Sequence, residues 1–299
     1  MDSVLGLQVG SVVALNAAFA WLVGSWLARR WLVASGVSRT DAEALLRSGD
    51  IAAATLGVLG TGAMLWASAA VMGGVGLQEA KDVVWQMLTM TSIGRAGYIS
   101  FFAITLVLVI RALRSTAVWR EWTVLAGLGL FAFVRASMGH AGENGYWTLP
   151  FAAEVVHLTA MGAWTGLVAV SAWKAMDNGA GQPDLNRKAH YLESMSAAAV
   201  VAVVAVFATG LFNAWNRVGT VDNLFASSLY TTALLVKLCF VSVALVLGGY
   251  NKVFGLARAR HSTPGLESVR VVLIVESVVL LAALVAAAVL TSQQPPAAM

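Results

Sequence analysis

The residues able to do chemistry gather in one stretch of the chain. It runs Arg135-Ala-Ser-Met138-Gly-His140, passes Glu143, and ends in Glu154-Val-Val-His157 with Met161 four residues on. In a helix Glu154 and His157, at i and i+3, share a face, and Met161 extends it. His140, His157, Glu154, Met138 and Met161 together offer two imidazoles, a carboxylate and two thioethers. Imidazole suits copper, and thioether adds a preference for Cu(I). The competing readings are plain ones. His157 is then a packed histidine bonded to a neighbouring helix, and Glu154 a counter-charge for Arg135. Met72, Met87 and Met90 would extend a soft-metal entry path, although methionine is also a common filler of membrane cores. His190 and His261 stand in basic connections and read as solvated. With Cys239 as the only cysteine, an internal disulfide or thiolate cluster is excluded.

Three more polar positions fall inside apolar runs, where each needs a partner or a cavity. Asn213, four residues before Arg217, either faces the same outer cavity or makes an interhelical hydrogen bond. Lys237 and Glu276 stand at similar depths in their runs. They read as a buried pair, either fixing helix packing or serving an ion path.

What must position these groups is a membrane bundle. The chain of 299 residues is 59% hydrophobic and 11% charged, with a mean hydropathy of +0.78. Soluble domains carry about one quarter charged residues. Eight apolar segments stand near 5–28, 51–75, 96–113, 121–139, 150–173, 193–215, 226–250 and 269–290. Each is close to the ~20 residues that cross a bilayer. The expected class is therefore all-α, a single polytopic domain of about eight transmembrane helices. Its halves are 1–140 and 150–292, and two parallel four-helix repeats are one reading of them. A short surface helix is expected around 38–46. No soluble domain is expected within the chain, and Asp2 with no basic residue before the first apolar run is unlike a cleaved signal.

Charge sets the expected orientation. Fourteen of the nineteen Lys and Arg lie in the connections 29–50, 111–120, 174–188 and 252–270. The positive-inside rule places those in the cytoplasm, so both termini are expected outside. The net charge of +4 is thus a topology signal. No basic run joins exposed aromatics, and nucleic-acid binding is excluded from the reading.

The second half resembles the copper resistance protein D family. The resemblance rests on Glu154-Val-Val-His157-Leu, on Thr209-Gly210-Leu-Phe-Asn213-Ala-Trp215 with Val218-Gly219, and on Leu234-Leu-Val-Lys237-Leu. It continues in Leu247-Gly-Gly-Tyr-Asn251-Lys252 and Ser268-Val-Arg270 through Glu276. It covers residues 150–290 clearly and the first four helices loosely. Where the family shows a Trp-Gly-Gly-like helix end, this chain has Trp164-Thr165-Gly166. The resemblance implies a multi-pass protein of a bacterial inner membrane that imports copper, partnered by a separate periplasmic copper carrier.

The leading expectation is copper binding at the outer face, followed by transfer inward. A second reading is a membrane electron carrier holding haem b between His140 and His157. A third is an accessory membrane subunit with no transport of its own. No nucleophile–base pair or nucleotide loop is present, so no enzyme is expected.

Overall fold

The computed structural model describes residues 2–142, 145–177, 184–218 and 229–293. The helices are α1 (Asp2–Ala34), α2 (Arg39–Gly73), α3 (Ala80–Met90), α4 (Ser92–Ala112) and α5 (Val118–Ser137). A 3-10 turn, His140–Gly142, leads to α6 (Leu149–Val170), α7 (Leu185–Val218), α8 (Leu229–Tyr250), α9 (Leu256–His261) and α10 (Thr263–Thr291). No strand occurs among the described residues. Seven helices, α1, α2, α4, α6, α7, α8 and α10, are long and apolar enough to cross a membrane. The eighth expected segment is α5, whose 20 residues include Arg120, Glu121 and Arg135. At 1.5 Å per residue it still spans about 30 Å. The chain is an all-α, multi-pass membrane protein.

Two connections differ from the sequence reading. The short surface helix expected near 38–46 is the opening of α2 itself. Ser38 caps it, accepting from the Asp41 amide at 3.1 Å, and the helix runs on unbroken for 35 residues. No proline interrupts this stretch, and its one early glycine, Gly49, packs under Trp21. The segment between α2 and α4 is not a plain loop but holds α3, which lays Ala80 and Met87 on the core and exposes Trp85 and Met90. An eleven-residue helix with one apolar face suits the interface plane rather than a crossing.

One helix organises the packing. α1 lies against α2 on one side and α6 on the other. One core joins Leu15, Phe19 and Leu22 of α1 to Met64, Ile104, Leu128 and Phe131. A second joins Ala28 and Leu32 of α1 to Trp164, Leu167, Tyr191, Leu192 and Leu273. The α1–α6 crossing is as tight as backbones allow. A Cβ on Gly166 would sit 1.7 Å from the Ala20 carbonyl oxygen, and one on Gly24 would sit 2.1 Å from the Gly166 carbonyl carbon. Ala20 and Gly24 on α1, with Gly162 and Gly166 on α6, form facing small-xxx-small pairs, the sequence device for close helix approach in lipid. This crossing fixes the height and rotation of α6, which carries Glu154 and His157.

Among the described residues, two π-helical stretches follow long helices of the second half. Ser171–Ala175 continues α6 and Asn251–Gly255 continues α8. Such turns mark places where a side chain is re-aimed. Here Ser171 meets the Tyr191 hydroxyl at 2.9 Å, and Asn251 turns into the bundle and donates to the Val269 carbonyl at 3.4 Å.

Candidate functional site

Two polar pairs face each other at the end of the bundle that bears both chain termini. Glu154 and His157 project from α6, and Thr209 and Asn213, at i and i+4, answer from α7. Asn213 Nδ2 donates to Glu154 Oε2 at 2.9 Å. His157 Nδ1 lies 3.0 Å from Thr209 Oγ1. The Thr209 hydroxyl proton is directed to the Ala205 carbonyl at 2.6 Å, so Thr209 accepts from the imidazole. That assigns the Nδ1–H tautomer and puts the ring's lone pair on Nε2, the form in which imidazole coordinates metal. Gly210 makes room for the ring, since a Cβ there would lie 3.3 Å from His157 Cε1.

Arg135 approaches the same carboxylate from α5. Glu154 acts on it electrostatically, while its Nη1 donates to the Met64 sulfur at 3.2 Å. Glu154 thus acts electrostatically on Arg135 and stands one turn from His157 on α6. Met161 is half-buried one turn below His157. Met138 packs against the α1–α2–α4–α5 core. The backbone of His140 opens the turn that packs on α5 and α6, while its side chain, and the whole of Glu143, lie outside the described residues. Among the described residues no three His, Cys, Asp or Glu side chains gather as a metal group.

The other polar positions are separated from this pair. Glu276 is buried where Trp164 Nε1 donates to its Oε1 at 3.3 Å, and it packs against Gly248. Gly248 is eleven residues beyond Lys237 on α8, about 16 Å of helix rise. The expected Lys237–Glu276 pair is thus not brought together, because matching depths were counted from helix ends that do not align. Met87 is buried in the core, whereas Met72 and Met90 are exposed. Glu276, Asn251 and Met195 line a cavity of about 50 Å³ between α6, α7, α8 and α10.

At the opposite end the structure holds a charge network. The arginines at 29, 111 and 120 read as loop charges in the sequence, yet Arg111 is fully buried and Arg120 nearly so. Arg29 pairs with Glu43, with Asp50 at 2.5 Å and with Glu121 at 3.3 Å. Arg111 reaches Asp50 at 3.4 Å and Glu121 at 2.5 Å, and Arg120 reaches Glu43 at 3.4 Å. Arg120 also donates to the Ile110 and Leu113 carbonyls at 2.7 and 2.9 Å, closing the end of α4. The overlooked signal was Glu43 and Asp50 seven residues apart, two turns along one face of a helix.

Two family models match the chain. Copper resistance protein D-like, N-terminal domain, covers residues 1–149, and Copper resistance protein D covers residues 189–290. Arg135, Met138 and His140 fall in the first, and Asn213, Lys237 and Glu276 in the second. Glu154, His157 and Met161 stand between the two matched ranges, on the helix that α1 holds. No curated protein and no solved structure matches the chain. With the two models covering most of its length, the chain is a copper-resistance membrane protein and belongs to the copper resistance protein D family.

Proposed function

We propose that this protein binds copper at the terminus-bearing end and passes it inward across a bacterial inner membrane, acting as a carrier and not as an enzyme. The supporting observation is the 3.0 Å contact of His157 Nδ1 with Thr209 Oγ1: with the Thr209 hydroxyl donating to the Ala205 carbonyl, Nδ1–H donates to Thr209 and the lone pair falls on Nε2. Glu154, oriented by Asn213, supplies an adjacent carboxylate. His140 opens the turn that packs on α6 and is the second imidazole of the proposed site, with Met161 and Met138 as thioethers at its margin. Inward, Trp164 lies seven residues along α6 from His157, about 10 Å. It donates to Glu276 beside the cavity that also holds Met195 and Asn251. Those groups are the next soft and hard donors an ion would meet. The orientation rests on the basic connections, which put the copper-receiving end in the periplasm, where a separate carrier protein would deliver the ion.

The test is metal analysis of the purified full chain after copper loading. About one copper per chain is expected, and none in the H140A/H157A double variant. Unchanged stoichiometry in that variant would overturn the site. A Soret band in the purified protein would favour haem b instead.

A further inference from the structure

A second cavity, of about 310 Å³, lies at the opposite end of the bundle and takes no part in the copper reading. It is enclosed by the last turns of α1, the first turn of α2 and the connection from α4 to α5. Arg29, Arg120, Glu43 and Glu121 of the charge network line it, and Arg111 and Asp50 complete the network outside its lining. Across the network Arg29, Arg111 and Arg120 meet Glu43, Asp50 and Glu121, three cations against three anions. Arg30 and Arg39 line the same cavity, are exposed, and make no ion pair among the described residues. Two positive charges are therefore left over at the rim. Arg30 is held in place over the Trp26 ring, 4.9 Å from its centroid.

Two further observations say what those charges receive. α5 begins at the cavity wall with no side-chain cap at Ala117, and Ser115, Thr116, Ala117 and Val118 line the cavity there. Uncapped helix amides beside guanidinium groups are donors for a phosphoryl oxygen. The rest of the wall is apolar, with Trp26, Val33 and an exposed Trp122. A tryptophan in that setting sits at headgroup level. Basic pockets between helices on the inner side of a membrane take anionic headgroups, and the volume is within the range of small-ligand sites, about 300–1,000 Å³.

We propose that this cavity binds a phosphoryl anion through Arg30, Arg39 and the start of α5. An anionic phospholipid headgroup and free phosphate share that chemistry. The experiment is thermal unfolding of the full chain in uncharged detergent. One arm adds phosphatidylglycerol against phosphatidylcholine, and the other adds sodium phosphate against sodium chloride at equal ionic strength. A rise of about 3 °C is expected in at least one arm, with its loss in the R30Q/R39Q variant. A response to phosphatidylglycerol alone identifies the headgroup as the source, and a response to phosphate alone identifies the soluble ion. No phosphoryl-specific rise in either arm, or an equal rise in the variant, overturns the proposal. Native mass spectrometry of the wild-type chain gives an independent readout. Retained phosphatidylglycerol or phosphate supports the site, and retention of neither overturns it.

Discussion

At the scale of single residues, the proposal that His157 holds copper is tested at its hydrogen bond to Thr209. Second-shell partners of this kind are worth about 10–100-fold in metal affinity. T209V should therefore weaken copper binding by about that factor while leaving one copper per chain, read by titration against a competing chelator. N213L should act similarly through Glu154. An unchanged affinity in both would mean that His157 is only packed. Asp50 makes a different case. It is fully buried between two arginines, Arg29 at 2.5 Å and Arg111 at 3.4 Å. Removing one partner of a buried pair strands a charge, so D50A should cost about 3–5 kcal/mol, seen in denaturant unfolding. The sequence made Glu154 and His157 legible because i, i+3 spacing is a local property. It could not show Thr209 as the ring's partner, since that depends on how α7 is turned toward α6. It misassigned Arg29, Arg111 and Arg120 because the positive-inside rule counts charges near membrane ends and is blind to whether they are paired.

At the scale of elements, the Gly24–Gly166 contact sets where α6 stands. G166L would drive a side chain into the Ala20 carbonyl and the α1 backbone. Overpacking of this kind costs about 3 kcal/mol, and here it also displaces His157. A fall in unfolding midpoint together with weaker copper binding is expected. Loss of stability with intact copper binding would detach the site from the crossing. The eight long helices were readable in the sequence because twenty apolar residues leave few alternatives. α3 was not, since eleven residues with one buried face carry no such signal. The π-helical turns after α6 and α8 were likewise silent, because one extra residue per turn changes aim and not composition.

At the scale of the whole molecule, the proposed orientation rests on the distribution of charge. With the basic connections in the cytoplasm, a phosphatase fused after Gln293 should be active in a bacterial host, and one inserted at Ser115 inactive. The reverse pattern would turn the proposed importer into an exporter. The two matched family segments, 1–149 and 189–290, invite treatment as separable modules. The packing argues otherwise. Ala28 and Leu32 of α1 belong to the core that encloses Tyr191, Leu192 and Leu273 of the second segment. A piece beginning at α7 would carry a groove where its keel should be. During synthesis that groove never forms, since α1 leaves the ribosome long before α7 and is already in the bilayer when its later neighbours arrive. The order of the chain thus supplies the mould before the material that must set against it, and a rearranged gene placing α1 last would have to wait, half assembled, for its own centre.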